Sequence, residues 1–156
     1  MTQYMPPEVE QSYSAPTVRQ FSVFLDNKVG KLLELVRLFD EAPDVHLASL
    51  SVIESSDFAV VRLIPNRADR ARAILKSHAQ PFSELDLLIV ELGEQQTLTS
   101  MCLHLLAAEL NIRFAYPLML KPHGSPTIAL AVDDQVLAGQ ILLRKRFRLL
   151  GENDLP

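Results

Sequence analysis

The sequence predicts an α+β protein built from two βαββαβ units, each a four-stranded, mainly antiparallel sheet with its helices on one face. Two observations support this prediction. Short apolar runs with alternating character, typical of half-buried strands, are separated by stretches whose apolar residues recur at helical spacing. The same order of elements then occurs twice within the 156 residues, which indicates an internal duplication.

The first unit opens with a strand, a polar loop and a helix. The alternating run at residues 21–25 predicts the strand, and Asp26-Asn27 ends it with residues that favour turns. Gly30 stands where the chain must turn into the helix, a position that uses the conformational freedom of glycine. The helix is predicted by apolar side chains at helical spacing, namely Leu32, Leu35, Val36 and Phe39. Free backbone N–H groups at such a helix start attract carboxylates and other anions.

The remaining elements of the first unit follow in the expected order. Two apolar runs, 47–53 and 58–64, flank a polar turn cluster and predict a hairpin. A second helix, 67–79, is predicted to be capped by Asn66 and ended by Pro81. Its inner face would carry Ala71, Ile74, Leu75 and His78.

The second unit repeats this order. The strand-like run at 82–92 is long enough to close the first unit and to open the second, so no flexible linker is expected between them. The further elements are a helix at 97–110, strands at 112–120 and 127–132, a helix capped by Asp133-Asp134 that ends near Arg144, and a strand at 147–150. We therefore predict a flexible tail at 1–17, a first unit at 18–84 and a second unit at 85–156.

The duplication and the first loop together resemble the ACT domain, a regulatory module with a ferredoxin-like fold that usually binds amino acids. The family loop has an acidic or polar residue, Asn, a basic residue, Pro, Gly and then Leu. The matching positions are Asp26, Asn27, Lys28, Gly30 and Leu32. Val29 stands where the family usually has Pro. The family's Val-Asn-Ile entry to the second strand corresponds to residues 110–112 in the second unit and 45–47 in the first.

The resemblance implies a site for an amino acid. In the family, ligands usually lie between two side-by-side units, where the loop of one faces the second-strand entry of the other. Carried onto this chain, backbone N–H groups near 29–31 would hold the ligand carboxylate, Asn27 and Asn111 would orient it, and Asp26 would receive its ammonium group. The full candidate set is Asp26, Asn27, Lys28, Val29, Gly30, Lys31, Asn111 and Ile112.

The reciprocal site is expected to be poorer. It would pair the loop at 93–96 with His46, which stands where the family has Asn. Gln96 replaces the loop glycine, and Glu94 adds a negative charge that would oppose a ligand carboxylate. One functional site and one degenerate site per chain are therefore expected.

An alternative hypothesis is a protein-interaction or structural module whose ligand site has decayed. The helix at 97–110 favours it, because its apolar residues leave little polar face. A homodimer would explain this composition, and so would burial between the two units. On the same helix, Cys102 shares an apolar stripe with Leu98, Met101 and Leu105, which predicts a small core residue. The basic cluster at 144–148 is of a kind that can bind phosphates, but it falls at a predicted helix C-terminus, where positive side chains complement the helix dipole, and this structural interpretation is favoured.

Composition narrows the class of protein further. The net charge of −4 argues against a nucleic-acid surface, and no apolar run is long enough to cross a bilayer. The lone cysteine fits a reducing compartment, and the N-terminal residues do not resemble a signal peptide, so a cytoplasmic protein is expected. Without a catalytic constellation or metal-ligand spacing, we expect no enzyme activity, no cofactor and no metal. The expected partners are an amino acid and a second copy of the chain.

Overall fold

The computed structural model describes residues 14–156, so the predicted tail at 1–17 lies outside the described residues except for its last four positions. The strands are β1 (Val18–Asp26), β2 (Leu47–Glu54), β3 (Phe58–Pro65), β4 (Phe82–Glu91), β5 (Ile112–Pro117), β6 (Thr127–Val132) and β7 (Arg148–Leu150). The helices are α1 (Lys31–Asp40), α2 (Ala68–Ser77), α3 (Leu98–Ala107) and α4 (Gln135–Arg144), and a short 3-10 turn follows at Glu152–Asp154.

The element order confirms the predicted βαββαβ duplication. Neighbouring strands pair antiparallel, in the order β2-β3-β1-β4 in the first unit and β7-β4-β6-β5 in the second. The two orders share β4, whose first half pairs with β1 up to Leu87 opposite Val18. From Leu88, which lies opposite Leu130, the same strand pairs with β6. A single ten-residue strand therefore belongs to both units.

The helices of each unit cover one face of its sheet. In the first unit, Leu35 and Phe39 of α1 and Leu75 of α2 pack on β1 and β3. In the second unit, Met101 of α3 and Leu142 of α4 belong to a separate apolar cluster formed with β4, β6 and β7. The predicted α+β class, with helices on one face of antiparallel sheets, is confirmed.

The opposite faces of the two sheets pack against each other. A third buried cluster combines first-unit residues with second-unit residues, among them Val18, Ala48, Ile64, Leu118, Ala129 and Ala131. At its rim, the Met119 N–H donates a 2.8 Å hydrogen bond to the Ala48 carbonyl, so the chain beyond β5 meets the start of β2. The sheet thus curls onto itself, and the two units lie face to face. Sharing β4 favours this arrangement, because the twist of a continuous sheet can carry its two ends toward each other.

Two predicted helix caps have different outcomes. Asp134 caps α4 by accepting a hydrogen bond from the Leu137 N–H, as predicted. Asn66 does not cap α2, because its side-chain oxygen accepts a 2.8 Å hydrogen bond from the His46 N–H instead. Arg67 occupies the N-cap position of α2 without a side-chain cap hydrogen bond. Asn66 therefore ties β3 to the segment before β2.

The expectation of a buried Cys102 is wrong. Met101 and Leu105 are buried at 1% exposure, whereas Leu98, Cys102 and Leu106 are exposed. Residues 101 and 102 are about 100° apart around a helix, so a sheet that covers one need not cover the other.

No helix among residues 14–156 is long and apolar enough to cross a membrane.

Candidate functional site

Gly30 shapes the connection between β1 and α1. It is the N-cap of α1 and has a φ of +88°, in the left-handed region that favours glycine. A Cβ atom built on it would meet nothing within 4 Å, so the backbone conformation alone accounts for the glycine. The predicted need for glycine at this turn is confirmed.

The start of α1 presents open backbone donors. No side chain of residues 14–156 caps this helix, and its first helical hydrogen bond joins the Glu34 N–H to the Gly30 carbonyl at 3.0 Å. The N–H groups of Leu32 and Leu33 precede that bond and therefore have no intrahelical acceptor. The Lys31 N–H makes a longer bond, 3.3 Å, to the Lys28 carbonyl. Such a helix start carries a partial positive charge that favours anions.

Asn27 braces the first loop against the hairpin between β2 and β3. Its side-chain amide donates hydrogen bonds to Glu54 Oε1 at 3.1 Å and to the Ser55 carbonyl at 3.4 Å. Within the loop, the Lys28 N–H donates to the Asp26 carbonyl at 2.8 Å. Two segments that are distant in sequence thereby form the two walls of a cleft.

This first-loop cleft has a volume of about 220 Å³. Its lining comprises Leu25, Asp26, Asn27, Lys28, Lys31, Leu32, Val52, Glu54, Ala59 and Val61. Two carboxylates and two ammonium groups share the cleft with an apolar floor. The Lys31 ammonium group lies 3.3 Å from the carboxylate of Glu34, an exposed pair that a competing anion can replace at little cost.

The structure brings together part of the predicted site. Asp26, Asn27, Lys28 and Lys31 line the cleft, and Gly30 shapes the turn beside it. The Val29 side chain is fully exposed to solvent. All ten lining residues belong to the first unit.

The two predicted residues from the second unit, Asn111 and Ile112, do not line this cleft. The Asn111 N–H donates to Asp133 Oδ1 at 3.1 Å, and Ile112 lies opposite Val132 in the β5–β6 pair. Sequence reasoning also missed Glu54 as a lining residue. The sequence feature that could have identified Glu54 is its position at the end of β2, beside the polar turn cluster.

The second loop is built differently from the first. Thr97 and Ser100 form a capping box at the start of α3, in which each backbone N–H donates a 3.0 Å hydrogen bond to the other residue's hydroxyl. The left-handed residue is Gln95, with a φ of +65°, rather than Gln96, the position aligned with Gly30. The α3 start is therefore satisfied partly by its own side chains, whereas the α1 start is open.

The fold and the first loop define a duplicated ferredoxin-like domain with a cleft at a strand–loop–helix junction. The chain belongs to the ACT domain family, because the family model for an ACT domain pair matches residues 16–156. This membership assigns the chain to a class of regulatory, small-molecule-binding domains.

The solved structures that are similar to this chain include the following two. A protein from Bacteroides thetaiotaomicron has a TM-score of 0.78 and 23% sequence identity, with 90% of this chain and 96% of that chain covered. The ligand-free regulatory subunit of aspartate kinase from Thermus thermophilus has a TM-score of 0.54 and 10% identity, with 85% and 92% covered. At these identities the likeness concerns the fold. No curated protein matches the chain.

Proposed function

We propose that this protein is a non-catalytic regulator that binds an amino acid in the first-loop cleft. The observation that carries the proposal is the contrast between the two helix starts. The start of α1 has no side-chain cap and adjoins a cleft with charges of both signs, whereas Thr97 and Ser100 cap α3. A zwitterion needs donors for its carboxylate and acceptors for its ammonium group, and the first loop offers both.

The proposed pose follows from these groups. The ligand carboxylate would lie against the backbone N–H groups at residues 29–33, near the ammonium group of Lys31. The ligand ammonium group would face Asp26 and the carboxylate of Glu54, which Asn27 already orients. The apolar floor, which includes Leu25 and Val61, would contact the ligand side chain.

The proposal includes a homodimer. The cleft is lined by the first unit alone, and ACT ligands usually lie between two units that sit side by side. A second copy of the chain could supply the opposing wall, and Asn111 with Ile112 are the residues that the family pattern suggests for it. The open side of the cleft leaves room for such a wall.

The test is calorimetric titration with the amino acids that raise the thermal midpoint of unfolding in a screen of all twenty. A ligand that binds only the folded state must raise its stability. We expect one amino-acid site per chain, abolished in Asn27→Ala and little changed in the matched variant Gln96→Ala. Two equivalent sites per chain, or unchanged binding in Asn27→Ala, would contradict the proposal.

A second candidate function is a protein-interaction module, and the exposed face of α3 favours it. Three leucines of this helix, Leu98, Leu103 and Leu106, are 51%, 57% and 68% exposed. Exposed apolar surface of this kind marks interaction sites when it is contiguous. If no amino acid binds while the chain self-associates in a concentration-dependent way that Leu103→Gln and Leu106→Gln abolish, this candidate would replace the first.

A further inference from the structure

A second cleft lies between the loop that follows β4 and the turn that joins α4 to β7. Its volume is about 580 Å³, larger than that of the first-loop cleft. It is lined by Glu91, Gly93, Glu94, Gln95, Gln96, Lys145, Arg146 and Arg148. We call it the basic cleft, because three cationic residues line it in a protein whose net charge is −4.

Two of these cations have no carboxylate partner among the residues that the structure describes. Within residues 14–156, neither Lys145 nor Arg146 takes part in an ion pair. Both side chains are exposed. Arg146 also has a φ of +66°, which orients the turn between α4 and β7.

The third cation, Arg148, lies next to Glu91 and His123. Glu91 is almost fully buried, and its carboxylate lies 2.7 Å from Nδ1 of His123 and 3.9 Å from Nε of Arg148. An Nδ1–H group on His123 would donate to Glu91 and leave Nε2 free to accept from Arg148, whose Nη2 lies 3.3 Å away. The Arg148 guanidinium thus has a hydrogen bond to His123 and a longer ionic contact with Glu91, and it keeps donors for a ligand because arginine has five N–H groups.

Gln96 joins the two walls of the cleft. Its Oε1 accepts a 2.7 Å hydrogen bond from the Gly93 N–H, and its Nε2 donates a 3.1 Å bond to the Arg146 carbonyl. The loop and the turn therefore have a fixed separation before any ligand arrives. Preorganisation of this kind lowers the entropic cost of binding.

Stabilisation of the α4 C-terminus explains only part of this arrangement. Lys145 is the C-cap residue, where a positive charge complements the helix dipole. Arg148 lies beyond the helix, on β7, directly opposite Glu91 of β4. Arg148 therefore adds to the cleft a cation that the helix dipole does not account for.

We propose that the basic cleft binds a small dianion, namely a phosphate group. Planar guanidinium groups match the geometry of phosphate oxygens, and a lysine ammonium group adds a point charge. Glu94, the other carboxylate of the lining, repels anions, but its side chain is exposed to salt screening and the three cations Lys145, Arg146 and Arg148 outnumber it. The proposed site differs from the amino-acid site in unit, in ligand class and in mechanism, since it relies on side-chain cations rather than on an open helix start.

The test is an NMR titration of the full chain with inorganic phosphate, and separately with a simple phosphate monoester, at constant ionic strength maintained with sodium chloride. We expect saturable shifts of the backbone amide signals at residues 93–96 and 145–148. The variants Lys145→Gln and Arg146→Gln should each weaken binding by roughly tenfold, the usual worth of a charged hydrogen bond. Tighter binding of the monoester would identify a phosphorylated molecule, rather than free phosphate, as the better ligand.

The matched control is Lys76→Gln, which removes one positive charge from the last turn of α2, the corresponding helix of the first unit. Phosphate binding should be unchanged in this variant. Arg148 is left intact, because its removal would leave the buried Glu91 without one of its partners. Shifts that do not saturate, that chloride alone reproduces, or that weaken equally in Lys76→Gln would overturn the proposal.

Discussion

The hydroxyl of Tyr116 on β5 donates a 2.6 Å hydrogen bond to Oε1 of Gln20 on β1. This bond crosses the interface at which the sheets of the two units face each other. Gln20 is 1% exposed, and burial raises the pKa of Tyr116 above its ordinary value, although Arg62 opposes this shift. Arg62 itself lies 3.9 Å from the ring centre of Phe114, so a cation–π contact crosses the same interface.

Replacing Tyr116 with Phe should destabilise the fold without changing its packing. The variant leaves the buried Gln20 carbonyl oxygen without its donor, which costs about 1–3 kcal/mol. Urea unfolding monitored by circular dichroism should show a lower midpoint with an unchanged slope. The paired change Tyr116→Phe with Gln20→Met removes both polar partners and should recover most of the loss. Equal midpoints for the wild type and Tyr116→Phe would show that the hydrogen bond contributes nothing.

Replacing Gly30 with Ala should destabilise α1 through its backbone conformation alone. A left-handed φ costs an alanine roughly 1–2 kcal/mol, and no atom lies near enough to add a clash. Gly30→Asn is the control, because asparagine tolerates this conformation better and should lose less stability. Differential scanning calorimetry can rank the three proteins. Wild-type stability in Gly30→Ala would contradict the argument. Amino-acid binding in the first-loop cleft should also fall in Gly30→Ala.

The Glu84 carboxylate should stabilise the fold in a pH-dependent way. Hydrogen bonds from Arg72, at 2.6 Å, and from Arg19, at 3.1 Å, lower the pKa of Glu84 below its ordinary value, and partial burial opposes this shift. The unfolded chain therefore binds a proton at a higher pH than the folded protein does. The stabilisation is present above the unfolded pKa and is lost as the pH falls through the folded one.

The corresponding measurement is the difference in unfolding free energy between the wild type and Glu84→Gln across the acidic range. At neutral pH we expect a difference of about 1 kcal/mol, since the pairs are partly exposed. It should shrink as the pH falls below the ordinary glutamate pKa. A difference that is constant with pH would assign the effect to packing rather than to charge.

Replacing Gly139 with Ala should destabilise the protein, although alanine is the better helix former. A Cβ atom on Gly139 would lie 2.6 Å from the Cβ of Ala15, which packs against α4. Overpacking of this kind typically costs about 1–3 kcal/mol. Adding Ala15→Gly removes the clash, so the double variant should regain stability and gain up to about 1 kcal/mol from helix propensity. A thermal midpoint of Gly139→Ala equal to or above that of the wild type would contradict this prediction. It would show that residues 14–17 can shift away from α4 at little cost.

Much of the fold could be predicted from local patterns. Alternation and helical spacing identified each strand and helix, because these periods reflect which side chains one sheet face or one helix stripe must bury. The length of the run at 82–92 predicted that one strand would serve both units. The chemistry of Gly30 predicted a turn with a left-handed residue, since that requirement is local to the backbone.

What only the tertiary structure decided concerns contacts between distant segments. Three features depend on which segment packs against each face: the face-to-face packing of the two sheets, the exposure of Cys102 and the role of Asn66. The periodicity of the sequence does not identify that segment. The same holds for the clefts. Glu54 joins the first loop through Asn27, and Glu91 lies opposite Arg148 although 57 residues separate them in the chain. The sequence by itself determined which elements form and where the chain turns. The folded chain decided which charges meet, because side-chain electrostatics acts over a few ångströms in space whatever the separation in sequence.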